Sequence, residues 1–176
     1  DYDRIRTLIS KAIIGFESFN KKLNEASIFD LPNGPRNQQF TNDIGKARFT
    51  INVLPDYKLH PDELLMMSIR SHDQFNTTIY GIDDRYRGIF GTRKIILMNK
   101  ADIQRNDLDT ARSVTLYNSY GNKRREVSGL KIVTYDIPKG CIATYFPECN
   151  VLIPLELKAR KSNTPASKSI KVRILQ

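Results

Sequence analysis

The sequence predicts a mainly β domain, six or seven strands closed or partly closed into a barrel, with short helices and one N-terminal amphipathic helix. Three observations carry that expectation. Apolar residues recur at a helical period only before residue 25, they alternate or cluster in short runs afterwards, and turn-forming Pro, Gly and Asn punctuate those runs. A chain of 176 residues is long enough for one sizeable core plus an appended arm, and too short for two ordinary domains.

The helix comes first. Ile5, Leu8, Ile9, Ala12, Ile13, Phe16, Phe19 and Leu23 fall at a period of about 3.6, so one amphipathic helix is expected over 5–23. Lys21 and Lys22 suit the negative end of its dipole, and Asn24 marks its stop. Residues 27–42 are polar and contain Leu31-Pro32-Asn33-Gly34-Pro35, the composition of a linker or an extended loop.

From Lys46 the period changes. Ala47, Phe49, Ile51 and Val53 alternate with Arg48, Thr50 and Asn52, as in a half-buried strand, and Pro55 closes it. The apolar runs at 64–69 and 93–98 read as strands buried in a sheet. Asn99 is a good N-cap type ahead of Ala101-Asp102-Ile103, which predicts a helical turn or two. A strand over 112–118, a turn at Tyr120-Gly121-Asn122 and a long strand over 126–137 interrupted by Gly129 follow. Pro138-Lys139-Gly140 turns the chain into short strands at 142–146 and 169–175. No repeat or low-complexity tract is present.

Apolar content of 40% and charged content of 27% are those of a folding chain. The net charge of +9 suggests a polyanionic partner: nucleic acid, a phosphorylated cofactor or an acidic surface. The basic residues are scattered in small groups, Lys21-Lys22, Lys123-Arg124-Arg125 and Lys158 to Lys161, each of which reads equally as solvated surface. Cys141 and Cys149 match no zinc or redox spacing and read as ordinary residues of a reducing compartment, so a cytoplasmic location is expected. No run reaches the length of a membrane span, and the opening residues lack a signal peptide's apolar core, so no membrane partner is expected.

Candidate chemistry concentrates in three segments. Residues 68–91 form a polar, aromatic-rich stretch too long for a simple connection, and such loops are usually functional. It offers Arg70, His72, Gln74 and Asn76, then Arg85, Arg87 and glycines that admit close backbone approach, an inventory suited to a phosphate or a heterocycle. Taken singly, Arg70 and Asp73 read as a local ion pair and His72 as a satisfied loop histidine. Residues 140–154 embed Tyr145, Glu148 and Asn150 among apolar neighbours, where a ligand or a tight turn after Pro147 would satisfy them. The third segment, 162–168, ends at Lys168, placed for a phosphate or ring carbonyl, or else solvated on a turn. No glycine-framed nucleophile, phosphate-binding loop or dinucleotide fingerprint occurs, and His60 and His72 have no ligand-spaced partners, so no catalytic or metal-ligating residue is expected.

These same segments resemble the C-terminal dinucleotide-binding domain of the molybdopterin oxidoreductases, in the branch of formate dehydrogenase-like alpha subunits. The run over 65–91, with IRSHDQFNTTIYG at 69–81 and DDRYRG at 83–88, is similar to that branch's signature. YDIPKG at 135–140, YFPECN at 145–150 and SNTP at 162–165 followed by Lys168 resemble its later motifs. The likeness runs from about Gly45 to Gln176. It implies a double-psi β-barrel over 45–176, with 1–26 the helical tail of a preceding domain and 27–44 the connection.

The implied ligand is molybdopterin guanine dinucleotide, two copies of which flank one molybdenum or tungsten ion held by the parent enzyme. The residues that the resemblance places on it are Arg70, His72, Gln74 and Asn76, then Tyr145 and Asn150, then Asn163 and Lys168. The implied partners are the cofactor and the preceding domains of the same polypeptide. The metal ligand and the substrate-handling residues belong to those domains, so the isolated chain is expected to be inactive. The chain departs from the family at Thr110-Ala111-Arg112, where a Gly-Asp turn is usual, at Cys149, where alanine is common, and at Ser167, where an aromatic often precedes the lysine. The alternative, a basic barrel that binds nucleic acid or another polyanion, rests on charge alone and predicts strongly salt-dependent binding.

Overall fold

The computed structural model describes residues 1–31, 33–110 and 112–176. Pro32 of the expected linker and Ala111 of the expected turn departure lie outside the described residues. The chain forms two compact units, Asp1–Pro55 and Asp56–Gln176.

In the first unit, the expected single helix is two: α1, Tyr2–Ala12, and α2, Phe19–Ala26. Ile13 is extended (φ −124°, ψ 120°) and Gly15 takes φ 94°, a conformation that a glycine adopts freely and a helix does not contain. Neither helix buries a residue; Phe19, the first residue of α2, packs against Phe16 and Phe29 on either side of that helix, each at 5.4 Å between ring centroids. Asn20 ties α2 to α1 by donating to the Asp3 carbonyl (2.9 Å) and to Thr7 Oγ1 (3.1 Å).

The strand expected over 47–53 does not form. Phe49 and Ile51 are fully exposed, and among the described residues no strand runs beside them. Alternation specifies which face a strand would bury, but an extended segment becomes a strand only when another backbone supplies its hydrogen bonds.

The second unit is mainly β, a closed barrel of six strands with few short helices. Its strands are β1 Leu64–Ile69, β2 Ile95–Met98, β3 Ser113–Tyr120, β4 Lys123–Thr134, β5 Cys141–Tyr145 and β6 Ile170–Leu175. Around the barrel the order is β1-β5-β2-β4-β3-β6. Two pairs are parallel, β1 with β5 and β2 with β4; the other four are antiparallel. β3 and β4 form a hairpin across the Gly121 turn, with an irregular register between Val114 and Leu116 opposite Gly129, whose φ is 76°. The interruption expected at Gly129 is therefore a bulge that bends the longest strand around the barrel.

Met66, Ile96, Met98, Leu116, Leu130, Ile142, Leu152 and Val172 fill the interior, all essentially inaccessible. Each such side chain contributes about 1.5–3 kcal/mol relative to exposure. β2 is buried at every position because both faces are covered: Ile96 and Met98 point inward, while Ile95 and Leu97 pack outside with Ile89, Ala143 and Tyr145. The continuous apolar run in the sequence is the signature of that double burial. Helix α3, Lys100–Arg105, is capped by Asn99, whose side chain accepts from Ala101 N–H at 2.9 Å and donates to the Ile137 carbonyl at 2.7 Å.

Candidate functional site

The barrel's pairing gathers the three sequence-flagged segments at one end. β1 and β5 run parallel, so their last residues, Ile69 and Tyr145, are register partners. β6 runs antiparallel to β1, which brings the residues leading into β6 to the same place. Ser68 N–H donates to the Ser167 carbonyl at 2.9 Å, and Lys168 Nζ donates back to the Ser68 carbonyl. Between these segments lies a cavity of about 610 Å³ lined by Arg70, Arg87, Asn150 and Lys168 together with Phe146, Thr164 and Ser167. Three cations and no carboxylate line it among the described residues, so its field favours an anion.

The long excursion between β1 and β2 is held down by two buried ionic centres. Arg93 is 5% exposed and reaches four partners: Glu148 Oε1 at 2.6 Å, Ser71 Oγ at 2.5 Å, Gln74 Oε1 at 3.0 Å and the Phe146 carbonyl at 2.9 Å. Its guanidinium also lies over the rings of Tyr80 and Tyr145, at 4.3 and 4.7 Å. Asp84 is 1% exposed and accepts from Tyr145 Oη at 2.7 Å and from Arg87 Nη1 at 2.5 Å. Burial alone would raise the Asp84 carboxyl, but the hydrogen bonds from Tyr145 and Arg87 outweigh it and hold the group below the usual carboxylate range. Burial first, and then the Asp84 carboxylate, pushes the Tyr145 phenol well above its ordinary value.

The flagged residues separate into groups. Arg70, Asn150 and Lys168 meet at the cavity. Gln74 is spent on the scaffold: its amide donates to the carbonyls of Asn76 (2.9 Å) and Phe146 (2.8 Å), and its oxygen accepts from Ser71 N–H and Arg93. Tyr145 is wholly buried with its hydroxyl on Asp84. His72 stands outside the cavity lining, its ring 3.7 Å from that of Tyr86 and its Nε2 3.2 Å from Asp73. Asp73 also pairs with Arg85 at 3.4 Å, so the local pair with Arg70 is not the one formed. Asn76 and Asn163 take positive φ, 52° and 55°, in exposed turns beside the cavity-forming segments. Glu148 caps no turn; it is the partner of Arg93. Arg93, Asp84 and Glu148 are not legible as a unit in the sequence, because the pairs Arg93–Glu148 and Asp84–Tyr145 join residues 55 and 61 positions apart. Only the spacing of Asp84 and Arg87, three residues apart, offers a local signal.

Residues 64–171 match the family model described as "Molydopterin dinucleotide binding domain". The chain belongs to the molybdopterin dinucleotide-binding domain family. Among curated relatives, an uncharacterized oxidoreductase of Mycobacterium tuberculosis (strain ATCC 25618 / H37Rv) is 41% identical over 180 residues, covering 99% of this chain and 23% of that protein. Protein YdeP of Escherichia coli (strain K12) is 35% identical over the same length, covering 99% of this chain and 24% of that protein. The chain thus spans about a quarter of the relatives it matches. Acetylene hydratase from Pelobacter acetylenicus overlays 64% of this chain and 18% of its own at 13% identity and TM-score 0.44. No helix among the described residues is long and apolar enough to cross a membrane.

The donor set of the cavity fits a dinucleotide. Arg70, Arg87 and Lys168 offer charge-assisted N–H groups for diphosphate oxygens, Asn150 offers both an acceptor and a donor, and the Phe146 ring offers an apolar wall. A volume of about 610 Å³ is in the range of small-molecule sites.

Proposed function

We propose that this barrel binds molybdopterin guanine dinucleotide as the non-catalytic C-terminal domain of a molybdenum or tungsten oxidoreductase of the formate dehydrogenase-like type, and that the barrel is of the double-psi kind. The observation that carries the reading is the cationic cavity at the shared end of β1, β5 and β6, in a chain of the molybdopterin dinucleotide-binding family. Parallel pairing of β1 with β5 and of β2 with β4 within one closed barrel supports the double-psi reading. The oxidoreductase relatives support the parent's class, and the signature at 69–81 supports its formate dehydrogenase-like type.

In this reading Lys168, Arg70 and Arg87 meet the diphosphate, and Asn150 contributes polar contacts beside Phe146. His72, Asn76 and Asn163 stand on the rims, where they complete the site together with preceding domains of the same polypeptide. Gln74 and Tyr145 act from behind, by fixing the loop. When bound, the cofactor supplies the redox chemistry at its metal; the domain positions it and shields its charge. The nucleic-acid alternative gains nothing from the family match.

The test uses the full-length protein, purified anaerobically. Acid treatment is expected to release about two guanine nucleotides for each molybdenum or tungsten, and formate is expected to reduce the loaded enzyme. Release of another nucleotide would correct the cofactor's form, formate inactivity would remove the substrate class, and absence of both metal and nucleotide would overturn the reading.

A further inference from the structure

We infer that Arg87 is the fixed anion-binding arm of the cavity and that Asp84 is its positioning residue, an assignment that rests on the dinucleotide reading above. Arg87 carries five N–H donors. Nη1 is fully committed to protein, to Asp84 Oδ2 at 2.5 Å and to the Arg70 carbonyl at 3.3 Å. Nε and Nη2 make no hydrogen bond to protein among the described residues, although the side chain lines the cavity and is only 28% exposed. Those two nitrogens form the side-on edge of a guanidinium, the fork that receives two oxygens of one phosphate.

The direction of that fork is set by the barrel and not by the loop that carries it. Asp84 is anchored through Tyr145, the last residue of β5, and both are almost wholly buried. The turn from Asp84 to Ile89 closes on itself, with Asp84 N–H donating to the Ile89 carbonyl at 2.8 Å and Ile89 N–H donating back at 3.0 Å. Gly88 makes the closure with φ 68°, a value that a side chain at this position would strain. Arg70 differs: it is exposed, and its guanidinium has no protein partner among the described residues. Ordering Arg70 on a ligand therefore costs entropy that Arg87 has already lost on folding.

Arg87 could instead serve only to neutralise buried Asp84, and the two roles separate in one set of variants. Full-length wild-type protein, Arg87→Lys, Arg87→Gln and the double variant Asp84→Asn/Arg87→Gln are compared. Two quantities are read: acid-released nucleotide per protein, and the melting temperature of apoprotein made in a host unable to synthesise the pterin. Lysine keeps the charge for Asp84 but lacks the fork, and the double variant removes both buried charges together. The inference predicts that Arg87→Lys and the double variant each lose about tenfold in retained nucleotide while their apoproteins melt within a few degrees of wild type. Wild-type nucleotide content in either variant overturns it, as does a loss that simply follows a lowered apoprotein melting temperature. A wild-type protein holding no nucleotide overturns the dinucleotide reading instead.

Discussion

Replacing Asp84 with alanine strips Tyr145 and Arg87 of a shared buried partner, and the loss is expected to be about 3 kcal/mol. Its pH dependence has a definite sign. A carboxyl whose folded value lies below its unfolded value of about 4 contributes stability that is fully present above that pH and is lost as pH falls through the folded value. Urea unfolding of wild type and Asp84→Asn should therefore show a gap at pH 7 that narrows below about pH 4. A gap independent of pH would show that the carboxylate's charge contributes nothing. Sequence could flag Tyr145 as a polar group needing a partner, but not that the partner is Asp84. The pair joins the loop that follows β1 to the last residue of β5, 61 positions apart in the chain, which no local pattern encodes. Cys149, the departure from the family's usual alanine, is buried against the core, and burial pushes its thiol up to about 11.

At the scale of elements, the parts that were legible are those whose local chemistry and tertiary role agree. Asn99 caps α3 as its side chain requires, β1 and β2 sit at the two apolar runs, and the Gly121 turn joins β3 to β4. The alternating segment at 47–53 shows the opposite case, a pattern without a partner. The break between α1 and α2 was hidden because Gly15 interrupts the backbone without disturbing the apolar period. Gly129 offers a clean test of the bulge. Its φ of 76° is one that a β-branched residue resists, so Gly129→Val is expected to cost about 1–2 kcal/mol. The space into which a Cβ at this position would project is open, so the cost would come from the backbone alone. A denaturant midpoint unchanged from wild type would show that the bulge relaxes.

For the whole molecule, the net charge of +9 has a location as well as a size. Several cations away from the cavity are paired, as Arg173 is with Glu63 and Arg125 with Glu156, whereas the cavity at the barrel's end gathers cations without a carboxylate among its described lining residues. Charge alone could not say where on the molecule an anion would be received; the closure of six strands brings three distant segments together around one cation-lined cavity. The resemblance in sequence named the segments, and the fold divides them into residues that face the cavity and residues that hold it in shape. The most direct test is a crystal structure of the full-length protein purified with its cofactor. Dinucleotide density is expected in this cavity, with phosphate oxygens within hydrogen-bonding distance of Arg87 and Lys168; a cavity filled by solvent or by another protein segment, with the cofactor held elsewhere, would overturn the assignment of the cavity to the cofactor.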